Sequence, residues 1–481
     1  MKAQRQLTDT DKFYRIIMMK RKIRNILLVF PTCTIFEGKE TKRATPPMGL
    51  AYLAGVLREK YNIKILDTIA EGFEHDERID EGRIRYGMSA ENIKNAVMDF
   101  EPDVVGVSAL FSSQSEEAYR ICRIVKDIDR DILVIMGGAH TTVMPHDVLK
   151  RPYIDYVLLG EAERSFMDLL KRIESGDDLK TVDGIGYREN GDIKIMLKTG
   201  YIQNLDDLPF PARDLLNVAR YTQINSPHGK PIDSSRLPFT PIVSSRGCPA
   251  SCTTCYVSSI WGKRNYRFRS AENVLKELET IAHQGYREFY FDDDNFSFNK
   301  ERAMKIFDGM IDRRLDFTWS TPNGTFVNSL DDEMLTKMRR SGCYHITFAI
   351  ESGNQEILTK VMKKPINLKR LPRLIRKTKE LGMKSMGFFM IGFPGETRAQ
   401  IKNTVNFAKE LVTLGLDYAT FYIVTPLPGT DLYRICKEKG YIDREADMTK
   451  YMFAKGVITT EEFTPEYLER MRFEAWRAVN F

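Results

Sequence analysis

Three cysteines within eight residues constrain this chain more than any other feature of its sequence. Cys248, Cys252 and Cys255 follow the spacing C-x3-C-x2-C, directly after an apolar, strand-like run at residues 240–245. Soft thiolate ligands suit iron–sulfur clusters and zinc alike. Three thiolates on one short segment can hold three corners of an iron–sulfur cluster and leave the last corner open.

Zinc and a disulfide are the alternative uses of these cysteines. A structural zinc site normally closes with four protein ligands, and the sequence has no second C-x2-C and no H-x3-H nearby. An odd set of cysteines without a secretory signal argues against a disulfide. A cluster with one open corner is therefore the favoured interpretation.

At this motif the sequence resembles the radical S-adenosylmethionine enzymes, in which such a segment follows the first strand of a partial (β/α) barrel. The resemblance implies a 4Fe-4S cluster on Cys248, Cys252 and Cys255, whose open iron binds the amino and carboxyl groups of S-adenosylmethionine. It also implies reductive cleavage of that cofactor to a 5'-deoxyadenosyl radical, with an external electron donor such as flavodoxin or ferredoxin. Family members usually have an aromatic residue before the third cysteine, whereas here Thr254 stands there and Tyr256 follows.

Length and composition indicate a globular protein of two or three domains. The 481 residues are 42% hydrophobic and 29% charged, and the apolar runs have the length of strands. The net charge is +6, with eight Lys/Arg against two Asp/Glu in a basic N-terminal tail, residues 1–24. We interpret this tail and the basic stretch 363–384 as solvated surface, with peripheral membrane contact or an acidic substrate as the alternative. We expect a cytoplasmic protein without a nucleic acid partner.

Residues 25–180 alternate between apolar strands and amphipathic helices. Strands are predicted at 26–30, 63–66, 104–108, 132–136 and 156–159, and a helix is predicted from Pro46 to about Lys60. This alternation predicts an α/β fold with a Rossmann-like, doubly wound parallel sheet. Such sheets bind ligands beyond the carboxyl ends of their strands, where the loops of this chain contain glycines and hydroxyl groups.

This region resembles the cobalamin-binding domain of one large class of radical S-adenosylmethionine enzymes. The resemblance is carried by residues Pro46 to Ala54 and by the loops at 137–140 and 160–163. The resemblance implies cobalamin contacts at Ser108, Ser112, Gly137, Gly138, His140, Thr141, Gly160 and Glu161. The first loop, residues 31–36, lacks the histidine that ligates cobalt in many cobalamin-binding proteins. We interpret His140 as a hydrogen-bonded loop residue, and Cys33 and Cys122 as unreactive buried thiols.

The rest of the sequence predicts a second α/β unit. A hairpin at 184–196 and a proline-rich connector occupy residues 181–238, where we place the domain boundary. Residues 239–435 then contain strands predicted at 240–245, 288–291, 317–319, 346–350, 386–391 and 419–424, which the resemblance identifies as a partial (β/α)6 barrel. Residues 436–481 predict a small helical segment whose aromatic residues form its core.

Polar residues and glycines follow these barrel strands, at the end where parallel barrels have their active sites. The resemblance implies contacts with S-adenosylmethionine from Tyr256, Asp292, Asp293, Asn323, Glu351, Ser352, Gly392 and Pro394. Several of them could instead cap the next helix or form a tight turn. The consecutive carboxylates at 292–294 point to alternate faces, which argues against a single metal site made of all three.

These resemblances predict a cobalamin-dependent radical S-adenosylmethionine enzyme, with methyl transfer to an unactivated carbon as the preferred reaction. Oxidative cyclisation or rearrangement without methyl transfer uses the same cofactors and is the alternative. A methylthiotransferase would need more cysteines upstream, and a non-catalytic iron–sulfur protein would not need the polar residues at the strand ends. The sequence leaves open whether the substrate is a small molecule, a lipid or a peptide.

Overall fold

Two large β-sheets, each covered by helices, make up the structure. The computed structural model describes residues 22–38, 40–227, 236–443 and 448–481. Most of the predicted basic tail and part of the proline-rich connector lie outside the described residues. Among the residues that are described, no helix is both long enough and apolar enough to cross a lipid bilayer.

The N-terminal half is built on a seven-stranded sheet. The strands of this half, three of which lie outside the large sheet, are β1 (Asn25–Phe30), β2 (Cys33–Phe36), β3 (Asn62–Asp67), β4 (Asp76–Asp80), β5 (Arg83–Tyr86), β6 (Val104–Ser108), β7 (Leu133–Gly137), β8 (Tyr156–Leu158), β9 (Ile185–Glu189) and β10 (Asp192–Ile195). Its helices are α1 (Met48–Leu57), α2 (Thr68–Glu71), α3 (Ala90–Phe100), α4 (Ser115–Ile128), α5 (Ala139–Val143), α6 (Pro145–Leu149), α7 (Glu163–Ser175) and α8 (Val218–Ile224). The large sheet has the order β10-β9-β8-β7-β6-β1-β3.

The middle of this sheet is parallel and is buried on both faces. Strands β3, β1, β6, β7 and β8 run parallel to one another. Along β1, Leu27 and Val29 join the apolar core on one face, whereas Ile26 and Leu28 join the core on the other face. Continuous apolar strands are what a sheet with helices on both sides requires. The predicted doubly wound sheet is confirmed.

Two features of the N-terminal half differ from the expectation. The β9–β10 hairpin, which we assigned to the linker, pairs antiparallel with β8 and therefore extends the sheet. Strands β2, β5 and β4 form a separate antiparallel sheet that the sequence does not reveal. The residues of β4 are all exposed and mostly charged, so no alternation of apolar side chains marks this strand.

The C-terminal half contains the predicted partial (β/α)6 barrel. Its strands are β11 (Phe239–Ile242), β12 (Ser245–Arg246), β13 (Arg267–Phe268), β14 (Glu288–Phe291), β15 (Thr318–Thr325), β16 (Cys343–Glu351), β17 (Lys384–Ile391) and β18 (Tyr418–Ile423). Its helices are α9 (Val257–Trp261), α10 (Ala271–His283), α11 (Lys300–Asp312), α12 (Asp332–Arg340), α13 (Leu371–Glu380), α14 (Arg398–Thr413), α15 (Asp431–Glu438) and α16 (Pro465–Asn480). The order β11-β14-β15-β16-β17-β18 is parallel throughout.

The last barrel strands have one covered face and one open face. On β17, Phe389 is buried among the helices, whereas Phe388 and Met390 are half-buried and face the barrel interior. On β18, Phe421 and Tyr422 show the same alternation, and the Phe388 and Tyr422 rings lie 5.5 Å apart. The interior of this incomplete barrel is therefore accessible from solvent.

Helix α16 covers β18, the edge strand of the barrel. The Asn480 side chain donates to the Ala419 carbonyl and accepts from its amide, both at 2.9 Å. The Nε of Arg472 donates to the Phe421 carbonyl at 2.9 Å. These side chains satisfy backbone groups that a further strand would otherwise pair. The predicted C-terminal helix is present, although Phe473, which we expected in its core, is 54% exposed.

A buried ion-pair network joins the two halves next to the three-cysteine segment. Arg246 on β12 contacts Glu161 at 2.5 Å and Glu163 at 2.6 Å, and Arg267 on β13 contacts Glu161 at 2.9 Å. Each of these side chains is at most 7% exposed. Charges taken out of water are stable only while they keep their partners. Because Arg246 lies two residues before Cys248, the network fixes the cysteine segment to the N-terminal sheet.

We expect Glu161→Ala to lower the free energy of unfolding by about 3–5 kcal/mol, because it leaves buried guanidinium charge without its partner. Urea denaturation measures this loss. The matched control is Glu37→Ala, since Glu37 pairs with Arg78 at the surface, where an ion pair contributes about 0–1 kcal/mol. Equal, small losses in the two variants would contradict a structural role for the network.

Candidate functional site

The three cysteines lie on a loop after the first barrel strand, residues 247–256, which we call the cysteine loop. Gly247 has a φ of +85°, and an added Cβ would lie 1.8 Å from the Asn265 carbonyl oxygen, so only glycine fits there. The amide of Thr253 donates to the Met362 carbonyl and its hydroxyl donates to the Val361 carbonyl, both at 3.0 Å. These bonds hold the loop against the turn that follows β16, with all three cysteines half-buried.

The side chains of this loop are compatible with a cluster that takes each thiolate on a separate iron atom. Within the described ranges, no three Cys, His, Asp or Glu side chains converge to hold a single metal ion. A cubane cluster takes each thiolate on a different iron atom, so its ligands can stand apart. The Nδ2 of Asn295 lies 3.4 Å from the Cys248 sulfur. Hydrogen bonds of this kind tune the reduction potential of iron–sulfur clusters.

Burial disfavours the thiolate form in this loop, and a lysine opposes that effect. Burial raises the pKa of Cys255 to about 12 and also raises the pKa of Cys252. The ammonium group of Lys364 favours the Cys252 thiolate and forms a 2.5 Å ion pair with Glu351. The sequence puts Lys364 in a stretch interpreted as solvated surface, but its side chain is only 15% exposed. Thiolates are the form that binds iron, so this buried cation favours ligation.

The aspartates that follow β14 have separate partners. Asp293, expected at S-adenosylmethionine, accepts hydrogen bonds from the Ser244 amide at 2.6 Å and from the Ser244 and Ser245 hydroxyls at 2.6 and 2.7 Å. Asp294 accepts from the Gly247 amide at 2.8 Å. Both carboxylates therefore hold the chain between β11 and the cysteine loop, and Asp293 is turned into the protein.

Asp292 and Asn323 meet at the ends of β14 and β15. The Nδ2 of Asn323 donates to a carboxylate oxygen of Asp292 at 2.9 Å. Burial, with smaller contributions from Asp293 and Asp294, raises the pKa of Asp292 to about 7. Near neutral pH this carboxyl group is present in both protonation states. A cationic or hydrogen-bonding ligand beside it would favour the charged form.

At the end of β16 the structure assigns different environments to Glu351 and Ser352. Glu351 has a φ of +69°, a backbone conformation that is rare for a residue with a side chain, and its carboxylate pairs with Lys364. Ser352 is fully buried, accepts from the Asn354 amide at 3.1 Å and lies 3.3 Å from the Thr404 hydroxyl. Glu351 is thus turned to the cysteine loop, whereas Ser352 closes the turn of its own loop.

The loop after β17 is organised by a glutamate to which the sequence gives no role. Glu396 is buried and accepts from the amides of Gly392 and Phe393 at 2.8 and 3.2 Å. Burial raises the pKa of Glu396 to about 7. Gly392 has a φ of +95°, and an added Cβ would lie 2.7 Å from Leu468 of α16. Gly392 therefore faces α16, while Pro394 remains half-buried.

The predicted cobalamin loops come together at one edge of the N-terminal sheet. The Ala109 amide donates to the Gly137 carbonyl, and the Gly160 amide donates to the Thr142 hydroxyl, both at 2.8 Å. Gly138 has a φ of +103°, and an added Cβ would lie 2.5 Å from the Ala109 carbonyl oxygen. The loops after β6 and β7 are thus packed backbone to backbone, and the Thr142 hydroxyl ties the loop after β8 to them.

Both ring nitrogens of His140 are engaged within these loops. Nε2 lies 2.7 Å from the Tyr119 hydroxyl, and Nδ1 lies 2.9 Å from the Ser112 hydroxyl. Burial lowers the pKa of His140 to about 4, so the ring is neutral at physiological pH. Thr141 is buried as well and donates to the Gly137 carbonyl at 3.2 Å. His140 is therefore hydrogen-bonded, as interpreted from the sequence, but it lies in the short helix α5 rather than in a loop.

The remaining two predicted cobalamin contacts, Ser108 and Glu161, have different positions. Ser108 ends β6 beside Gly137 and is half-buried. Glu161 accepts from Arg246 and Arg267 and also from the Ile202 amide at 2.7 Å. Both of its oxygens are committed to the ion-pair network, so Glu161 belongs to the domain junction rather than to the open edge of the sheet.

An apolar groove lies between these loops and the cysteine loop. It is lined by Leu110, Phe111, Ser112, Ala139, His140 and Val143 of the N-terminal half and by Tyr256, Leu427 and Pro428 of the barrel. Leu110 and Phe111 are 45% and 44% exposed. The groove marks the place where the predicted cobalamin loops face Tyr256 of the cysteine loop.

Comparisons with known proteins agree with this arrangement. The family model of the radical SAM superfamily matches residues 242–408, and the model of the B12 binding domain matches residues 39–170. Cytidylyl-2-hydroxyethylphosphonate methyltransferase of Streptomyces wedmorensis is 32% identical over 469 residues, which cover 91% of this chain and 86% of that protein. An uncharacterized methyltransferase of Pyrococcus horikoshii is 32% identical over 457 residues, which cover 95% and 92%.

A solved structure has the same fold. The radical S-adenosylmethionine methyltransferase TsrM from Kitasatospora setae, with tryptophan substrate and a cofactor analog bound, matches with a TM-score of 0.69 and 18% identity. The match covers 88% of this chain and 79% of that chain. The chain therefore belongs to the cobalamin-dependent radical S-adenosylmethionine enzymes, whose cofactors are a 4Fe-4S cluster, S-adenosylmethionine and cobalamin.

Proposed function

We propose that this enzyme transfers a methyl group to an unactivated carbon of a small-molecule substrate. The observation that carries the proposal is the apolar groove, because it brings the cobalamin loops opposite the cysteine loop and Tyr256. The relatives at 32% identity are both named methyltransferases, which supports the same reaction. When bound, the cluster with S-adenosylmethionine supplies a hydrogen-abstracting radical, and cobalamin supplies the methyl group.

We propose Cys248, Cys252 and Cys255 as the cluster ligands. Lys364 is expected to stabilise the thiolate at Cys252, and Asn295 to donate a hydrogen bond to the sulfur of Cys248. We also propose an external electron donor, such as flavodoxin or ferredoxin, because reductive cleavage of S-adenosylmethionine consumes an electron. The half-buried position of the cysteines fits electron transfer from such a donor at the surface.

For S-adenosylmethionine we propose direct contacts from Tyr256, Asp292, Asn323 and Glu351. These side chains are half-buried or exposed and lie at the carboxyl end of the barrel, where they can reach a ligand. Asp293, Ser352 and Gly392, with Pro394 beside Gly392, are proposed to act indirectly by shaping the loops that carry those contacts.

For cobalamin we propose backbone contacts at Gly137, Gly138 and Gly160 and a hydroxyl contact at Ser108. His140 and Ser112 are proposed to position the loop through their mutual hydrogen bond, and Thr141 to do so through its bond to Gly137. A substrate would lie in the open barrel interior, which is lined in part by Phe388, Met390 and Tyr422. Apolar walls there would limit the access of water to a reactive intermediate.

The first test is anaerobic reconstitution with iron, sulfide and hydroxocobalamin. We expect the desalted protein to retain corrinoid by visible spectroscopy and to form 5'-deoxyadenosine after reduction. With methyl-deuterated S-adenosylmethionine, the product should carry the label, and S-adenosylhomocysteine and 5'-deoxyadenosine should form in equal amounts. A product with an unchanged carbon count would indicate cyclisation or rearrangement, and loss of corrinoid on desalting would refute methyl transfer through cobalt.

Replacement of any one cluster cysteine, as in Cys252→Ala, should abolish cluster assembly and 5'-deoxyadenosine formation, because each iron corner needs its own thiolate. Iron content and visible absorption measure assembly. Cys343→Ala is the matched control, since Cys343 is fully buried in the apolar core of the barrel. An equal loss of iron in this control would show that the ligands are misassigned.

Affinity for S-adenosylmethionine should depend on the protonation of Asp292. Its pKa is raised to about 7, so the neutral form dominates below that pH and the carboxylate above it. If the carboxylate accepts a hydrogen bond from the cofactor's amino group, binding should strengthen as pH rises through about 7. Equilibrium binding to reconstituted protein at several pH values measures the effect. The Asp292→Asn variant should lose the part of the pH dependence of binding that is centred near pH 7. An unchanged pH profile in this variant would exclude Asp292 as a contact.

A further inference from the structure

An exposed aromatic patch lies beside the cysteine loop. It consists of Tyr266, Phe268 and Phe298, and Lys263 and Arg264 come just before it in the chain. We propose that these five residues, which we call the donor surface, dock an acidic electron-transfer protein of the flavodoxin or ferredoxin kind. The proposal rests on the proposed function, because such a partner needs a cluster on the cysteine loop to reduce.

The three rings of the donor surface contact one another. The ring centroid of Tyr266 lies 5.7 Å from that of Phe268 and 5.2 Å from that of Phe298. Phe268 and Phe298 are 40% and 45% exposed, although exposure of an apolar ring to water is unfavourable. Phe268 points outward because Arg267 and Arg269, its neighbours in the chain, are buried on the opposite side. An apolar patch that is kept at the surface is typical of an interaction site.

Two direct contacts join the donor surface to the cysteine loop. The Nδ2 of Asn295, three residues before Phe298, lies 3.4 Å from the Cys248 sulfur. In the segment that carries the other two rings, Asn265 packs so closely against Gly247 that an added Cβ there would lie 1.8 Å from the Asn265 carbonyl oxygen. Both segments that carry the rings therefore reach the part of the loop that contains Cys248. A protein bound to the rings would lie next to this proposed cluster ligand.

The donor surface is supported from beneath by a buried arginine. Arg302 of α11 donates from Nη1 to the carbonyls of Ser244 and Arg269 at 3.1 and 3.2 Å. Its Cζ lies 5.5 Å from the centroid of the Phe268 ring. The antiparallel pairing of β12 with β13 also fixes Phe268, which lies opposite Ser245. A surface that is already ordered loses little conformational freedom when a partner binds.

The unpaired charge of the donor surface is positive. Lys263 and Arg264 are exposed, and neither has a carboxylate within 4.0 Å among the residues that the structure describes. Of the acidic side chains on the adjoining helices α10 and α11, Glu272 and Glu301 each have a cation of their own, at 2.5 and 2.7 Å. Asp206 accepts from the backbone amide that precedes α10, at 2.9 Å. Two free cations favour an acidic partner over a second copy of this chain, whose net charge is +6.

The size and position of the donor surface suit an electron-transfer complex. Complexes of this kind are weak and bury less than about 1,200 Å² in total. In the docked pair the donor gives up one electron and the cluster on the cysteine loop accepts it. The cations attract the donor from solution, and the rings supply the apolar contact that holds it beside Cys248.

The test measures binding of flavodoxin and of ferredoxin to the reconstituted holoenzyme by calorimetry at low ionic strength. The double variant Lys263→Glu/Arg264→Glu should weaken binding by about tenfold or more, because it replaces attraction with repulsion. Phe298→Ser should also weaken binding by about tenfold, because it removes an aromatic contact. Lys409→Glu is the matched control. Lys409 is exposed near the end of α14, where that helix approaches the amino ends of the barrel strands, so binding should not change in that variant.

Formation of 5'-deoxyadenosine is followed in parallel, with the donor protein or with dithionite as the reductant. The double variant and Phe298→Ser should slow cleavage that is driven by the donor protein at subsaturating concentration. Cleavage driven by dithionite should not change, because a small reductant needs no docking surface. Added salt should weaken donor binding to the wild-type protein more than binding to the double variant.

Three outcomes would overturn the donor surface. The first is wild-type affinity in both test variants, or no saturable binding of either donor protein to the wild-type enzyme. The second is an equal loss of dithionite-driven cleavage, which would place the defect in the cysteine loop. The third is a wild-type dimer that Phe298→Ser separates in sedimentation, which would assign the rings to a second copy. Methyl transfer is recorded separately, so its absence beside intact donor binding would refute the proposed reaction and leave the donor surface standing.

Discussion

The pairing of Arg246 with Glu161 and Glu163 is the interaction on which the arrangement of the two halves depends. It joins the loop after β8 to β12, and β12 leads directly into the cysteine loop. Because these charges are buried, any orientation that separates them carries the cost of an unpaired buried charge. The edge of the N-terminal sheet and the carboxyl end of the barrel are thereby held face to face across the groove.

Much of the fold is predictable because its strands are buried on both faces. The strand Val104–Ser108 and the strand Glu288–Phe291 lie where their apolar runs predict them, and both belong to parallel sheets. The sequence does not predict the small antiparallel sheet, because its exposed strand Asp76–Asp80 has no apolar face. The β9–β10 hairpin was recognised as a hairpin, but nothing in its sequence indicates that it pairs with β8.

The site could be predicted only in part, because the sequence shows which residues follow a strand but not where their side chains turn. Asp292 and Asp293 are neighbours in the chain, yet one meets Asn323 and the other is bound by Ser244 and Ser245. Lys364 belongs to a basic stretch that the sequence indicates to be solvated surface. Its side chain is largely buried, with an ion pair to Glu351 that no local pattern indicates. Contacts between distant segments of this kind emerge only from the tertiary structure.

Helix α16 covers the edge of the barrel sheet, a task that further strands would perform in a closed barrel. The strands carry the loops for the cofactors, whereas this helix covers the edge of β18 from outside the sheet and is attached to it by Asn480 and Arg472. Side chains on the exposed face of the helix, such as Phe473, can therefore vary in size and charge without disturbing strand order or the cysteine loop. Sequence change on the outer face of this one peripheral element is thus compatible with unchanged radical chemistry in the barrel.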